Sequence, residues 1–404
     1  MGKDDTLVGV DVFKILTLNN ISPIGVARLP ADRYQIGSDV KDPDAILVRS
    51  AKMHDLPIPP TLKAVGRAGA GVNNIPVPKM SERGIPVFNA PGANSNAVKE
   101  LVIAGLILGC RHICQGRDFA RGLNGSDEEL HKAVEAGKKD FAGRELPGRT
   151  LGIIGLGAIG RIVANAAIAL GMKVIGYDPG ITVEGAWQLS ADVKKARSID
   201  ELLRFSDFIT FHVPLIDATR NLLNAERLKL MKKDAVILNF AREGIVDDKA
   251  VIQALDAGAL YAYVCDFPNN VTKSHPRVIA LPHLGASTQE AEENCAVMVA
   301  DQVRDFLENG NVRNAVNFPE VVVPRGTTHR FICANANVPN MLGQISEAFG
   351  QAGLNIHDMV NMSRGDLAYT VVDLDNPIPA KVVQQIASIH GVLMARLLPP
   401  PRSE

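Results

Sequence analysis

The 404-residue sequence holds only five cysteines, an odd number with no CxxC pair and no metal-ligand spacing. This excludes a disulfide scaffold and a structural zinc site and points to free thiols in a reducing compartment. Cys110, Cys265 and Cys333, each set among apolar residues, are expected in the core. Charge of one sign is also missing. The net charge is −1, with no basic stripe, which argues against a nucleic-acid partner. No apolar run is long enough to span a bilayer, so no membrane partner is expected. The opening MGKDDTLVGV lacks a signal-peptide pattern, and the expected location is the cytoplasm. What is there is ordinary globular material, 46% apolar and 22% charged, with a length that suggests two to four domains.

The run Leu151-Gly-Ile-Ile-Gly-Leu-Gly-Ala-Ile-Gly160 reads as a buried strand that breaks at a glycine-rich turn and restarts as a helix. Gly155 permits the tight turn, Gly157 lets a pyrophosphate approach the backbone, and Gly160 lets helix and strand pack closely. Free N–H groups at the helix start would face the phosphates. A bare GxGxxG is weak evidence, but its context here is specific. The helix face Ile162, Val163, Ala166, Ala167, Leu170 ends at Gly171, and a second strand, Lys173–Tyr177, runs into Asp178. An acid at that strand tip reads the ribose hydroxyls and repels a 2′-phosphate, so NAD is expected rather than NADP. The alternative is that Asp178 is only a turn residue before Pro179.

Before the fingerprint, apolar strands at Val12–Leu18, Ala45–Val48, Ala64–Val65 and Val87–Asn89 alternate with helices and suggest a second, smaller α/β unit. A long helix is expected over about Ala97–Arg121 and another over about Thr288–Asn309, carrying the chain out of one domain and back. Between them lie strands at Phe208–Val213, Ala235–Asn239 and Ala262–Asp266. The segment Phe318–Gly326 looks like a linker. Residues 328–398 then read strand, helix, strand, strand, helix, strand, with Met341, Leu342, Ile345 and Phe349 on one helix face before Gly353. That order fits a ferredoxin-like module.

Three strand ends after the fingerprint carry candidate chemistry, because open α/β sheets place their ligand there. His212, Val213 and Pro214 end one strand, and Pro214 can pack on the adenine or the nicotinamide ribose. Asn239-Phe-Ala-Arg242 ends the next. A guanidinium fork binds a carboxylate and polarises the adjacent carbonyl, which suits a 2-oxo or 2-hydroxy acid; the alternative is a solvated loop charge. Pro282-His283-Leu-Gly follows the last strand, and His283 is placed to exchange a proton in carbonyl chemistry. A lone histidine is more often structural, but its position before a crossover helix favours the catalytic reading. No metal is expected.

With Val48-Arg49-Ser50, Gly66-Arg-Ala-Gly-Ala-Gly-Val72, Asn89-Ala-Pro-Gly-Ala-Asn94, GLGAIG, Asn239-Phe-Ala-Arg242, Pro282-His-Leu-Gly-Ala-Ser-Thr288 and Asn314-Ala-Val-Asn-Phe-Pro319, the chain resembles the D-isomer-specific 2-hydroxyacid dehydrogenases. Within them it is most similar to the short, ACT-containing, phosphoglycerate-oxidising type, over nearly the whole chain. The resemblance implies an α/β fold in which a Rossmann-type NAD domain (98–286) is inserted in a smaller flavodoxin-like substrate-binding domain (1–97 and 287–320). A ferredoxin-like βαββαβ ACT regulatory domain (328–404) follows. It implies that Arg242 binds and polarises the substrate, that His283 exchanges the proton, and that Gly69, Ala70 and Gly71 hold the carboxylate through backbone N–H groups. Arg49 and Arg67 are its candidates for the phosphate. Ala158, Ile159, Asp178, Phe240, Ala241, Asp266, Leu284 and Gly285 fall on its cofactor-contact positions. The implied reaction is NAD-linked oxidation of 3-phospho-D-glycerate to 3-phosphohydroxypyruvate in serine synthesis, by a homodimer or homotetramer.

The sequence departs from that family at several points. The catalytic Glu expected five residues after Asp266 is Val271, so the carboxylate behind His283 is missing from its usual place, and Asn269 or Asn270 could orient the imidazole instead. Asn73 replaces an Asp and Glu243 a Gly. In the ACT-like module, Asn335, Asn337 and Asn355 match positions that bind an effector serine between two such domains. Asn335 stands for the usual His and Asn340 for the helix-start Gly. The alternative for that module is a dimer contact alone. Rival readings of the whole are a dehydrogenase of another D-2-hydroxy acid and a non-catalytic, NAD-sensing protein like the corepressors on this scaffold.

Overall fold

Short, almost wholly apolar runs form most of the strands, as expected where parallel sheets are covered on both faces. The computed structural model describes residues 12–326 and 329–401; the segment read for a signal peptide lies outside them. The described residues up to Asn94, with those from Gln289, form one compact unit, and Ser95–Thr288 form a second.

In the first unit, strands β1 (Phe13–Leu18), β2 (Tyr34–Gly37), β3 (Ala45–Val48), β4 (Ala64–Arg67) and β5 (Val87–Phe88) form a sheet of order β2-β1-β3-β4-β5. Every pairing is parallel, which is the flavodoxin-like order. The helix Gln289–Asn309 lies across it: a Cβ at Gly66 would stand 2.6 Å from Val299 and 2.9 Å from Val303.

In the second unit, β6 (Thr150–Ile154), β7 (Lys173–Tyr177), β8 (Lys194–Lys195), β9 (Phe208–Phe211), β10 (Ala235–Asn239), β11 (Leu260–Cys265) and β12 (Val278–Ala280) form a parallel sheet. Its order is β12-β11-β10-β9-β6-β7-β8, a doubly wound sheet that reverses direction at β6. The helix expected over Ala97–Arg121 is two helices, Ser95–Arg111 and Ile113–Gly122, with His112 between them in the left-handed region at φ 50°. The first ends because the Arg144 N–H returns to bond the Cys110 carbonyl at 2.8 Å, while the second buries no residue of its own against this sheet.

The last part of the first unit contains β13 (His329–Ala336), β14 (Ile356–Arg364), β15 (Leu367–Leu374) and β16 (Val392–Leu397) in the order β14-β15-β13-β16, all antiparallel. Alternation along β13 sends Phe331 and Cys333 into a core with Ile345, Phe349 and Ile386 of the two helices. Ile332 and Ala334 face the other way, into a cluster shared with Phe306 and Phe318. The segment Phe318–Gly326 is therefore not a free linker: Phe318, Val321 and Val323 are buried, and Val312 and Val321 exchange backbone hydrogen bonds. Arg330, fully buried, ties the module down. Its guanidinium pairs with Asp373 at 2.7 Å through two N–H groups and donates to the carbonyls of Asn309, Val323 and Pro324. A buried charge is tolerable only when paired and fully bonded in this way.

All five cysteines are free, and Cys110, Cys265 and Cys333 are buried with thiols pushed up by burial. Among the described residues no helix is long and apolar enough to cross a membrane, and no His/Cys/Asp/Glu group could hold a metal.

Candidate active site

The fingerprint takes the form the sequence indicates. β6 ends at Ile154, the chain turns through Gly155, Leu156 and Gly157, and the helix Ala158–Ala169 begins. Gly155 has φ 93°, and a Cβ there would meet the His212 carbonyl oxygen at 2.5 Å. A Cβ at Gly160 would stand 1.9 Å from the Gly155 carbonyl oxygen, which fixes the helix against the turn. Gly157 differs: nothing lies within 4 Å of its missing Cβ, leaving the backbone open to a phosphate. Asp178 braces this turn, its Oδ2 accepting from the Leu156 N–H at 2.8 Å and its Oδ1 from the Gly180 N–H at 2.8 Å. A carboxylate so held retains lone pairs for ribose hydroxyls. These features fit the adenosine and pyrophosphate of a dinucleotide.

Beyond β9, His212 is partly exposed as a residue but its Nδ1 is enclosed. Its Nε2 lies 3.1 Å from Thr210 Oγ1, and burial pushes the imidazole down to about 3, so it stays neutral. Val213 is partly exposed and Pro214 is exposed.

Three side chains follow on neighbouring strand ends. Beyond β10, the buried Asn239 clamps the turn: its Nδ2 donates to the Arg242 carbonyl at 3.0 Å and its Oδ1 accepts from the Ala241 N–H. Arg242 Nη1 donates to the Ala241 carbonyl at 2.6 Å. Phe240 is buried, its ring close to Gly105, so at Phe240 the backbone rather than the ring is available to a cofactor. Beyond β11, Asp266 is fully buried; its Oδ2 accepts from the Gly285 N–H at 3.1 Å and its carbonyl from the His283 N–H at 2.9 Å. Its Oδ1 is enclosed and has no partner, an orphaned acceptor of the kind that marks a ligand site. Burial raises the Asp266 carboxyl, opposed by the Gly285 N–H and by the nearby His283 and Arg242. His283 sits at φ 46° with its ring 4.9 Å from that of Phe267, and Leu284 beside it is exposed.

The amide expected behind His283 is not Asn269. Its Nδ2 donates to Asp248 at 2.6 Å, and its Oδ1 accepts from the Val271 and Thr272 N–H groups. Val271 is exposed, and among the described residues no carboxylate is ion-paired with His283.

In the first unit, Arg49 directly follows β3 and Arg67 ends β4. Arg67 Nε donates to the Arg49 carbonyl at 3.1 Å, and its guanidinium folds over Gly69, where a Cβ would stand 1.7 Å from Nη1. The Asn89 amide donates to the Ala70 carbonyl at 2.6 Å and sets the Gly69–Ala70–Gly71 loop. Asn89 and Asn239 carry no individual role in the sequence reading; their signal is an amide at a strand end, partly exposed at Asn89 and buried at Asn239, which holds a turn.

In the antiparallel module, Asn335 and Asn337 line one cavity of about 170 Å³ with Asn340, Leu342, Asn361 and Ala368. Asn335 is 1% exposed and its Oδ1 has no partner. Asn355 lies at the opposite end of the sheet, its amide donating to Asp375 at 2.6 Å.

Comparison with known proteins agrees with this arrangement. The family model described as D-isomer specific 2-hydroxyacid dehydrogenase, NAD binding domain, matches residues 117–285. A D-3-phosphoglycerate dehydrogenase of Haemophilus influenzae is 34% identical over 351 residues, 84% of this chain and 82% of that protein. One from Methanocaldococcus jannaschii is 40% identical over 321 residues, 77% of this chain, but the match spans only 58% of that longer protein. The NAD+-bound crystal structure of 3-phosphoglycerate dehydrogenase from Entamoeba histolytica matches with a TM-score of 0.58 and 28% identity, covering 76% of this chain and 99% of that one. With an orphaned aspartate, an arginine and a histidine gathered beyond a dinucleotide turn, the chain belongs to the D-isomer-specific 2-hydroxyacid dehydrogenase family.

Proposed function

We propose that this chain is an NAD-dependent dehydrogenase that oxidises 3-phospho-D-glycerate to 3-phosphohydroxypyruvate, in the cytoplasm and on the route to L-serine. The observation that carries this reading is the grouping of Arg242, Asp266 and His283 on adjacent strand ends beyond the fingerprint turn. An NAD held by the Gly155–Gly160 turn and Asp178 would supply the hydride acceptor. His283 takes the proton of the C2 hydroxyl, and Arg242 binds the carboxylate and stabilises the carbonyl oxygen as it forms. The Asp266 Oδ1 is available to a carboxamide N–H. In the substrate-binding domain, read as 1–97 with 287–320, the Gly69–Gly71 backbone holds the carboxylate, while Arg49 and Arg67 read the phosphate. The NAD domain is read as 98–286.

The arginine assignment has a direct test. Arg49→Gln or Arg67→Gln should raise KM for 3-phospho-D-glycerate about tenfold or more, as expected on losing a charge-assisted bond, while moving KM for D-glycerate much less. Equal changes on both substrates would show that these arginines serve the fold or the carboxylate. The cofactor assignment rests on Asp178, whose carboxylate repels a 2′-phosphate. kcat/KM should favour NAD over NADP by at least about 10²-fold, and Asp178→Ala should narrow that ratio. Comparable values with both cofactors would overturn it.

Residues 328–404 we read as an ACT domain in a homodimer or homotetramer. Asn335 and Asn337, with Asn355 of a second copy, would take a small amino-acid effector, serine first among them. The supporting observation is the amide-lined cavity with its unpartnered Asn335 Oδ1.

A further inference from the structure

Arg49 is not a bare phosphate receptor. Its Nη2 lies 2.5 Å from Oε1 of Glu292, in the first turn of the helix Gln289–Asn309. The Arg49 side chain is 34% exposed and that of Glu292 43%, so the pair faces water and its partners can exchange. The Arg49 backbone, by contrast, is fixed: its carbonyl accepts from Arg67 Nε at 3.1 Å and from Asn74 Nδ2 at 3.3 Å. The buried Cys295 thiol, one turn along the helix from Glu292, lies in the field of Arg67, Arg49 and Glu292 together, which places all three charges in one cluster.

We propose that Glu292 is a built-in competitor, a residue that holds the Arg49 guanidinium until a substrate phosphate replaces it and so tunes the affinity for the phosphate. This rests on reading Arg49 as a phosphate-binding group. Two routes lead to the same sign. If the phosphate displaces Glu292 it must break an existing ion pair, and if both anions share the guanidinium they repel each other. Either way Glu292 weakens the binding of an anion at Arg49 and leaves D-glycerate, which carries no phosphate, little affected. The expected size is modest because the pair is exposed: removing the charge should strengthen phosphate binding roughly two- to fivefold, the range that exposed ion pairs support.

The test uses the full chain with Glu292→Gln, Glu292→Ala and Arg49→Gln. Steady-state KM is measured for 3-phospho-D-glycerate and for D-glycerate, together with inhibition by inorganic phosphate. Both Glu292 variants should lower KM for the phosphorylated substrate, and phosphate should inhibit at correspondingly lower concentration, while KM for D-glycerate moves less. Unchanged or raised KM in both Glu292 variants, with Arg49→Gln still weakening the phosphorylated substrate, would overturn the competitor role and make Glu292 a support for Arg49. If Arg49→Gln alters neither the phosphorylated KM nor phosphate inhibition, the phosphate reading of Arg49 fails first, and the competitor role with it.

Discussion

Replacing His283 with alanine is expected to lower kcat/KM for 3-phospho-D-glycerate by at least about 10²-fold, the lower end for loss of a positioned acid–base group. The His283 main chain is held by its N–H bond to the Asp266 carbonyl, and the ring lies in contact with Phe267. Alanine removes the proposed proton acceptor without disturbing a core, because the side chain is exposed on its unit. Arg242→Ala should lose at least as much, and Arg242→Lys should recover little, since an ammonium cannot reproduce the fork that binds carboxylate and carbonyl oxygen together. Thermal melts should stay close to wild type for the His283 variant. Near-normal turnover in either alanine variant would mean that another group moves the proton or holds the substrate.

The second large effect separates two glycines three residues apart. Gly160→Ala places a methyl 1.9 Å from the Gly155 carbonyl oxygen, a backbone atom that cannot swing away. The turn and helix must part, and overpacking of this kind costs about 1–3 kcal/mol or more. Gly160→Ala should therefore lower Tm and weaken NAD binding about tenfold or more together. Gly157→Ala meets nothing within 4 Å, so its Tm should hold while NAD binding falls, because the methyl occupies the approach of the pyrophosphate. Equal Tm losses in both variants, or undiminished NAD affinity in Gly157→Ala, would mean that the phosphates lie elsewhere.

What the sequence disclosed was local or repetitive. The fingerprint, Asp178 at the next strand tip, and Arg242 and His283 at later ones could be read because a strand end and its turn are encoded in adjacent residues. The ferredoxin-like order of the last module followed from its succession of strand and helix stretches, with Met341, Leu342, Ile345 and Phe349 on one helix face. The helix Asp127–Gly137 is likewise marked locally, by a Ser126–Glu129 capping box at its start. What stayed hidden depends on distant contacts. The break at His112 is imposed by Arg144 bonding the Cys110 carbonyl, and the Phe318–Gly326 segment is packed because the antiparallel sheet lays Ile332 and Tyr369 over it. The partner of Asn269 is Asp248, and that of Arg49 is Glu292, 243 residues away. Neither pairing leaves a mark in the neighbouring sequence.

The identity of the substrate, together with the chemistry proposed for Arg242 and His283, is tested most directly by following NADH formation from NAD by the full chain on a panel of acids: 3-phospho-D-glycerate, D-glycerate, D-lactate and D-2-hydroxyglutarate. The highest kcat/KM is expected for 3-phospho-D-glycerate, with D-glycerate lower by at least about tenfold because it would forgo the proposed arginine contacts to phosphate. A higher kcat/KM for any unphosphorylated acid, or NAD binding with no NADH formed from any of them, would contradict it.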